Sequence, residues 1–159
     1  MIAPEPAWGP LLAGEARDGG SLLHVGAGPE EVAARCRGTL VYLATPYSRE
    51  ALDARGAWCP NRSIEQGMRA ALHAARLARA GVTAVSPVVQ AAEMVSVAHA
   101  LIDPLDDGFW EAWCRPLLSA CGAVAVPDLA GWDRSRGIWR EVVWALERNR
   151  PVFVEAEGA

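Results

Sequence analysis

Apolar positions along the chain fall into two patterns: short unbroken runs, and stretches where they recur every three or four residues. TLVYLATP at 39–46 is a continuous β-branched and aromatic run closed by proline, the pattern of a strand buried on both faces. VTAVSPV (82–88), GAVAVPD (122–128) and PVFVEA (151–156) repeat it, and LLHV (22–25) predicts a shorter strand. Between them lie helical stretches. Pro29, Glu30 and Glu31 open one that runs to Cys36, with proline and acids where a helix N-terminus favours them. Ser63 and Gln66 form a capping box for a helix through Ala80, and Gly81 sits at its C-cap. Helices are predicted over 89–101 and 107–120, parted by Asp103-Pro104, and Ser135 is a natural N-cap for a helix over 136–149. Residues 49–62 read as a long loop and Gly26-Ala27-Gly28 as a turn. Residues 1–20, rich in proline and glycine and without periodicity, read as a mobile or loosely packed arm.

Strands that alternate with helices dictate right-handed crossovers, hence a single α/β domain with a parallel sheet of four to five strands between helices. Ligands of such sheets bind at the carboxyl ends of the strands. That rule places residues 45–49, 86–90 and 127–137 on one rim.

The length of 159 residues suits one domain, and 52% apolar content is enough for a sizeable core. A net charge of −4 argues against a nucleic-acid footprint. All 15 basic residues are arginine, so Schiff-base chemistry and a Walker-type phosphate lysine are excluded. Cys36, Cys59, Cys114 and Cys121 contain no C-x-x-C pair, and His24, His73 and His99 stand far apart, so neither a zinc site nor a cofactor is expected. The longest apolar stretch, 81–102, carries Gln90, Glu93 and His99 and makes a poor membrane span. The first ten residues lack a basic n-region, so a cytoplasmic protein with reduced thiols is the expectation.

Two features suggest chemistry. The stretch from Asp128 to Gly137 is a glycine-containing loop that feeds a helix N-terminus, where unpaired N–H groups and a positive dipole end attract anions. Ser135 adds a hydroxyl, and Arg134 and Arg136 add fork-shaped donors. A capped helix with solvated arginines accounts for the same residues. Glu141 borders the core stripe formed by Ile138, Val142, Ala145 and Leu146, with no arginine one turn away to neutralise it. It is either a reagent or the partner of a distant arginine such as Arg69 or Arg115. Trp132, between Gly131 and Asp133, is expected to face a ligand. Trp110, Trp113 and Phe109 read as core before they read as a base-stacking wall, Tyr42 reads equally as core or as facing the site, and His73 reads as surface.

Y-L-A-T-P-Y-S at 42–48, R-A-G at 79–81, S-P at 86–87 and V-P-D-x-x-G-W-D-x-S-x-G-x-x-x-E at 126–141 resemble the nucleoside 2-deoxyribosyltransferase-like superfamily, over about residues 39–155. The resemblance implies a Rossmann-like (flavodoxin-like) domain over 39–159, preceded by a partly flexible extension over 1–38. It implies cleavage of an N-glycosidic bond, with Glu141 attacking the sugar C1′ of a nucleoside. A base takes the sugar in the transferases, and water takes it in the 5′-monophosphate hydrolases. The hydrolases have serine and glycine six and four residues before the nucleophile, as Ser135 and Gly137 stand here, which favours a nucleoside 5′-phosphate as substrate. The expected catalytic set is Glu141, Tyr47 and Asp107. The expected binding set is Ser135, Gly137, Asp128, Asp133, Trp132, Arg136, Ser48 and Pro87. Cys114 occupies the position of the superfamily's second acid, so Asp107 or Asp106 is the substitute. The resemblance also implies at least a homodimer. A non-catalytic nucleotide sensor and an NAD-processing glycohydrolase are the alternatives.

Overall fold

The computed structural model describes residues 5–15 and 22–156. In chain order the elements are α1 (Trp8–Glu15), β1 (Leu23–Val25), α2 (Pro29–Cys36), β2 (Leu40–Leu43), α3 (Pro60–Arg79), β3 (Thr83–Val85), α4 (Pro87–Ala98), α5 (Asp107–Ala120), β4 (Ala123–Val126), α6 (Arg136–Leu146) and β5 (Val152–Val154). A short 3-10 turn, Trp132–Arg134, precedes α6. The five strands form one sheet in the order β1-β5-β4-β2-β3, and every pairing is parallel.

Period-two alternation divides each central strand between two cores. Val41 and Leu43 of β2, Ala123 and Ala125 of β4 and Phe153 of β5 face α2 and α3. Tyr42, Val124, Val126, Val152 and Val154 face the opposite layer, where Leu118 of α5 and Ile138, Val142 and Ala145 of α6 complete the core. Tyr42 is therefore pinned beneath α6 by its place in the strand. Because β3 and β4 lie on opposite sides of β2, the chain diverges at the carboxyl ends of β2 and β4, the crevice where open parallel sheets bind ligands. No helix among the described residues is long and apolar enough to cross a membrane.

Several boundaries differ from the sequence expectation. Helix α3 starts at Pro60, with Cys59 at the cap position, because proline at the first helical position presets φ and lacks the N–H that would go unpaired there. Ser63 and Gln66 are buried inside the helix rather than capping it. The loop before α3 is correspondingly shorter and is closed by a bridge between Leu52 and Trp58. Pro87 likewise opens α4 instead of ending a strand. Gly81 does follow α3 with φ +88°, a conformation that suits glycine.

Residues 5–15 are not a loose arm. Trp8 is 4% exposed and packs edge-on against Trp132 at 4.7 Å and Trp139 at 5.1 Å, which docks α1 on the α6 layer. Residues 22–36 supply an edge strand and a covering helix of the same sheet. Of the predicted arm, residues 1–4 and 16–20 lie outside the described residues.

Candidate active site

A cleft of about 300 Å³ opens at the carboxyl ends of β2 and β4. Residues 45–50, which follow β2, form one wall, and the first two turns of α6 form the facing wall. Side chains of α4 and α5, among them Val88, Ala91, Trp110 and Leu118, make the apolar part of its lining.

Glu141 lies at the centre of this arrangement. The α6 stripe that buries Ile138, Val142 and Ala145 carries Glu141 to its border, where the half-buried carboxylate lines the cleft. The Tyr42 hydroxyl donates to Glu141 Oε1 at 2.5 Å, across 99 residues of sequence. Arg69 is taken by Glu65, and Arg115 and Arg140 by Glu111, so none of these arginines forms an ion pair with Glu141. Burial pushes the Glu141 carboxyl up to about 7, while the Tyr42 hydrogen bond and the charge of Arg140 hold it down. Burial, reinforced by the charge of Glu141, pushes the Tyr42 phenol far up, so it stays protonated and remains a donor. Cys114, on α5, lies near Tyr42 and Glu141, and burial with the nearby Glu141 charge raises its thiol to about 11. The three side chains thus present one titrating carboxylate and two neutral groups at neutral pH.

The loop before α6 supplies the expected anion-binding groups. Ser135 caps the helix by accepting from the Ile138 N–H at 3.3 Å and also lines the cleft, so the capped-helix and ligand-site readings coexist in one residue. Gly137 and Arg136 line the cleft beside it. The Arg136 guanidinium is ion-paired with Glu5, which precedes α1.

Most of the residues singled out from sequence come together here. Tyr47, Asp107, Ser48 and Pro87 all line the cleft with Glu141, Ser135, Gly137 and Arg136. Tyr47 is held by hydrogen bonds with Ser63 at 2.8 Å and from Trp58 Nε1 at 3.2 Å. Three expected contacts fall elsewhere. Trp132 is 6% exposed and does not line the cleft: the 3-10 turn folds its indole inward against Trp8. Asp133 is exposed in that same turn, outside the lining. Asp128 is also exposed, and its backbone N–H donates to Glu155.

Further residues join the site. Thr45 and Arg49 belong to the rim predicted over 45–49, and Glu50 lies one residue beyond it. Trp110, which reads as core from its spacing, is half-buried and lines the cleft, with its Nε1 donating to the Asp103 carbonyl. His73 is not a surface residue: it packs 3.7 Å from Glu155, and burial lowers its pKa. His99 lies against Trp58. The four cysteines are free, and no group of three metal-ligating side chains comes together among the described residues.

Comparison with known proteins gives one match: the family model described as Domain of unknown function (DUF1937) matches residues 39–157. No curated protein and no solved structure matches the chain.

Proposed function

The chain belongs to the DUF1937 family over residues 39–157, and from the chemistry of its cleft we propose that it cleaves the N-glycosidic bond of a nucleoside or deoxynucleoside 5′-phosphate, with Glu141 as the nucleophile. The observation that carries this reading is the cleft-lining carboxylate of Glu141, hydrogen-bonded by a neutral phenol and without an ion pair among the described residues. A carboxylate so placed keeps its charge available for an electrophilic carbon. It attacks the sugar C1′ as the base departs, and the resulting glycosyl ester is released to water or to a second base. Tyr42 orients the attacking oxygen. Tyr47 and Asp107 are assigned to the sugar and the departing base, and Ser135, Gly137 and Arg136 to the phosphate.

The test is incubation with a panel of ribo- and deoxyribonucleoside monophosphates, followed by chromatography for free base. Release from at least one member is expected, and release from none would overturn the reading. A non-catalytic nucleotide-binding role is the second reading. It draws support from Cys114, a neutral thiol beside Tyr42 and Glu141 where the resemblance expects an acid. Nucleotide binding without base release would favour it.

The pH dependence follows from the carboxyl's position near 7. The nucleophile must be ionised, so kcat/KM is expected to fall about tenfold per pH unit below pH 7. Tyr42→Phe removes a hydrogen bond to the charged form, so this limb should move up by about 1–2 pH units. A pH–rate profile of the two proteins checks both statements, and a limb that does not move with Tyr42→Phe would detach Tyr42 from the nucleophile.

Assembly into at least a homodimer belongs to the same proposal. Ile64, Met68 and Leu72, spaced four apart on α3, are 47%, 69% and 62% exposed and offer an apolar ladder for a second copy. Light scattering at micromolar concentration should give at least twice the chain mass, and a monomer would remove this part of the proposal.

A further inference from the structure

Glu5 puts its carboxylate on the guanidinium of Arg136, a residue that lines the cleft. The contact joins residues 131 positions apart. It is not the chance touch of a free tail, because Trp8, three residues on, is buried against Trp132 and Trp139 and fixes the start of α1 beside α6. Glu5 itself is exposed, so no packing holds its carboxylate there. The Arg136 hydrogen bond and charge hold the Glu5 carboxyl below its usual range, with a smaller contribution from Arg49, which lines the same cleft. Two residues that line the cleft carry buried polar atoms with no hydrogen-bond partner among the described residues: the Nε of Arg136, and the Oγ1 of Thr45, which is only 7% exposed. Buried polar atoms ordinarily find partners, and a phosphate has three oxygens to offer them.

Resting on the phosphate-binding reading above, we propose that Glu5 is an internal occupant of the phosphate subsite, which a ligand's 5′-phosphate displaces from Arg136 and a neutral 5′-hydroxyl leaves in place. Glu5 thereby competes with the phosphate for Arg136 and lowers the affinity of the cleft for it. A phosphate dianion brings more charge and a better match to the guanidinium fork than one carboxylate, whereas a hydroxyl brings neither. The pair is solvent-exposed, so breaking it costs little.

Calorimetric titration with inorganic phosphate at fixed ionic strength tests the proposal. Glu5→Gln and Glu5→Ala should each bind phosphate about threefold to fivefold more tightly than the unaltered protein, the range expected when an exposed ion pair no longer competes. Adding Arg136→Ala to either variant should abolish the gain. Unchanged or weaker phosphate binding in both Glu5 variants would overturn the proposal, as would an equal gain when Arg136 is absent or no binding by any of the proteins. None of these outcomes bears on base release, which tests Glu141. Phosphate binding that responds to Glu5 in a protein without glycosidase activity would leave the subsite standing and remove the reaction.

Discussion

Glu141→Gln is expected to reduce base release by about a thousandfold or more while nucleotide binding persists. Glutamine keeps the volume and one hydrogen-bond acceptor for the Tyr42 hydroxyl but cannot form the glycosyl ester. The same substitution should make the protein more stable at alkaline pH. The Glu141 carboxyl titrates near 7 in the folded protein and near 4.5 when solvated, so between those values the native state binds more protons than the unfolded chain. Stability contributed by the protonated form is therefore complete below about pH 4.5 and lost as pH rises through 7. At pH 8 the ionised, desolvated carboxylate is a burden, and glutamine should relieve it by roughly 1–3 kcal/mol. Urea denaturation at pH 8 and pH 5 checks this: a gain at pH 8 that shrinks at pH 5 is expected. Equal base release by the two proteins would remove the nucleophile assignment whatever the stability result.

Trp132→Ala should destabilise the fold by about 3–5 kcal/mol, the usual cost of truncating a buried aromatic. Trp132 contributes to the same core as Tyr42, Val126 and Ile138, and its ring closes on Trp8. Truncation removes this packing and also half of the aromatic socket that seats α1, so the Glu5 contact with Arg136 should weaken with it. A domain of this size has about 5–15 kcal/mol to lose. The change should be plain in a denaturation midpoint and in the near-ultraviolet circular dichroism of the tryptophans. A loss below about 1 kcal/mol would mean that α1 does not dock as described.

The features that could be read from sequence are those whose causes are local. The strands are legible because unbroken apolar runs such as Ala123 to Val126 suit a sheet buried on both faces. Helix α2 begins at Pro29 and the Ser135 cap forms because the determinants of both lie within one turn. The rim of the cleft follows from strand order, which the alternation of elements implies. What was not legible depends on partners far away in sequence. Trp132 in its glycine-flanked loop carries no sign of the distant Trp8 that buries it. The helical wheel puts Glu141 at the edge of the core but cannot reveal Tyr42, which reaches it only because β2 runs beneath α6. Ser63 and Gln66 have the spacing of a cap, yet Pro60 starts the helix earlier and frees Ser63 to bond Tyr47.

The most direct measurement is intact-protein mass spectrometry on samples quenched in acid during turnover of whichever nucleoside monophosphate releases base. The mass should rise by one sugar-phosphate residue, fragmentation should locate the adduct on Glu141, and the adduct should vanish in Glu141→Gln. An adduct on another residue would contradict the assignment of Glu141 as the nucleophile, and so would base release that continues unchanged in Glu141→Gln.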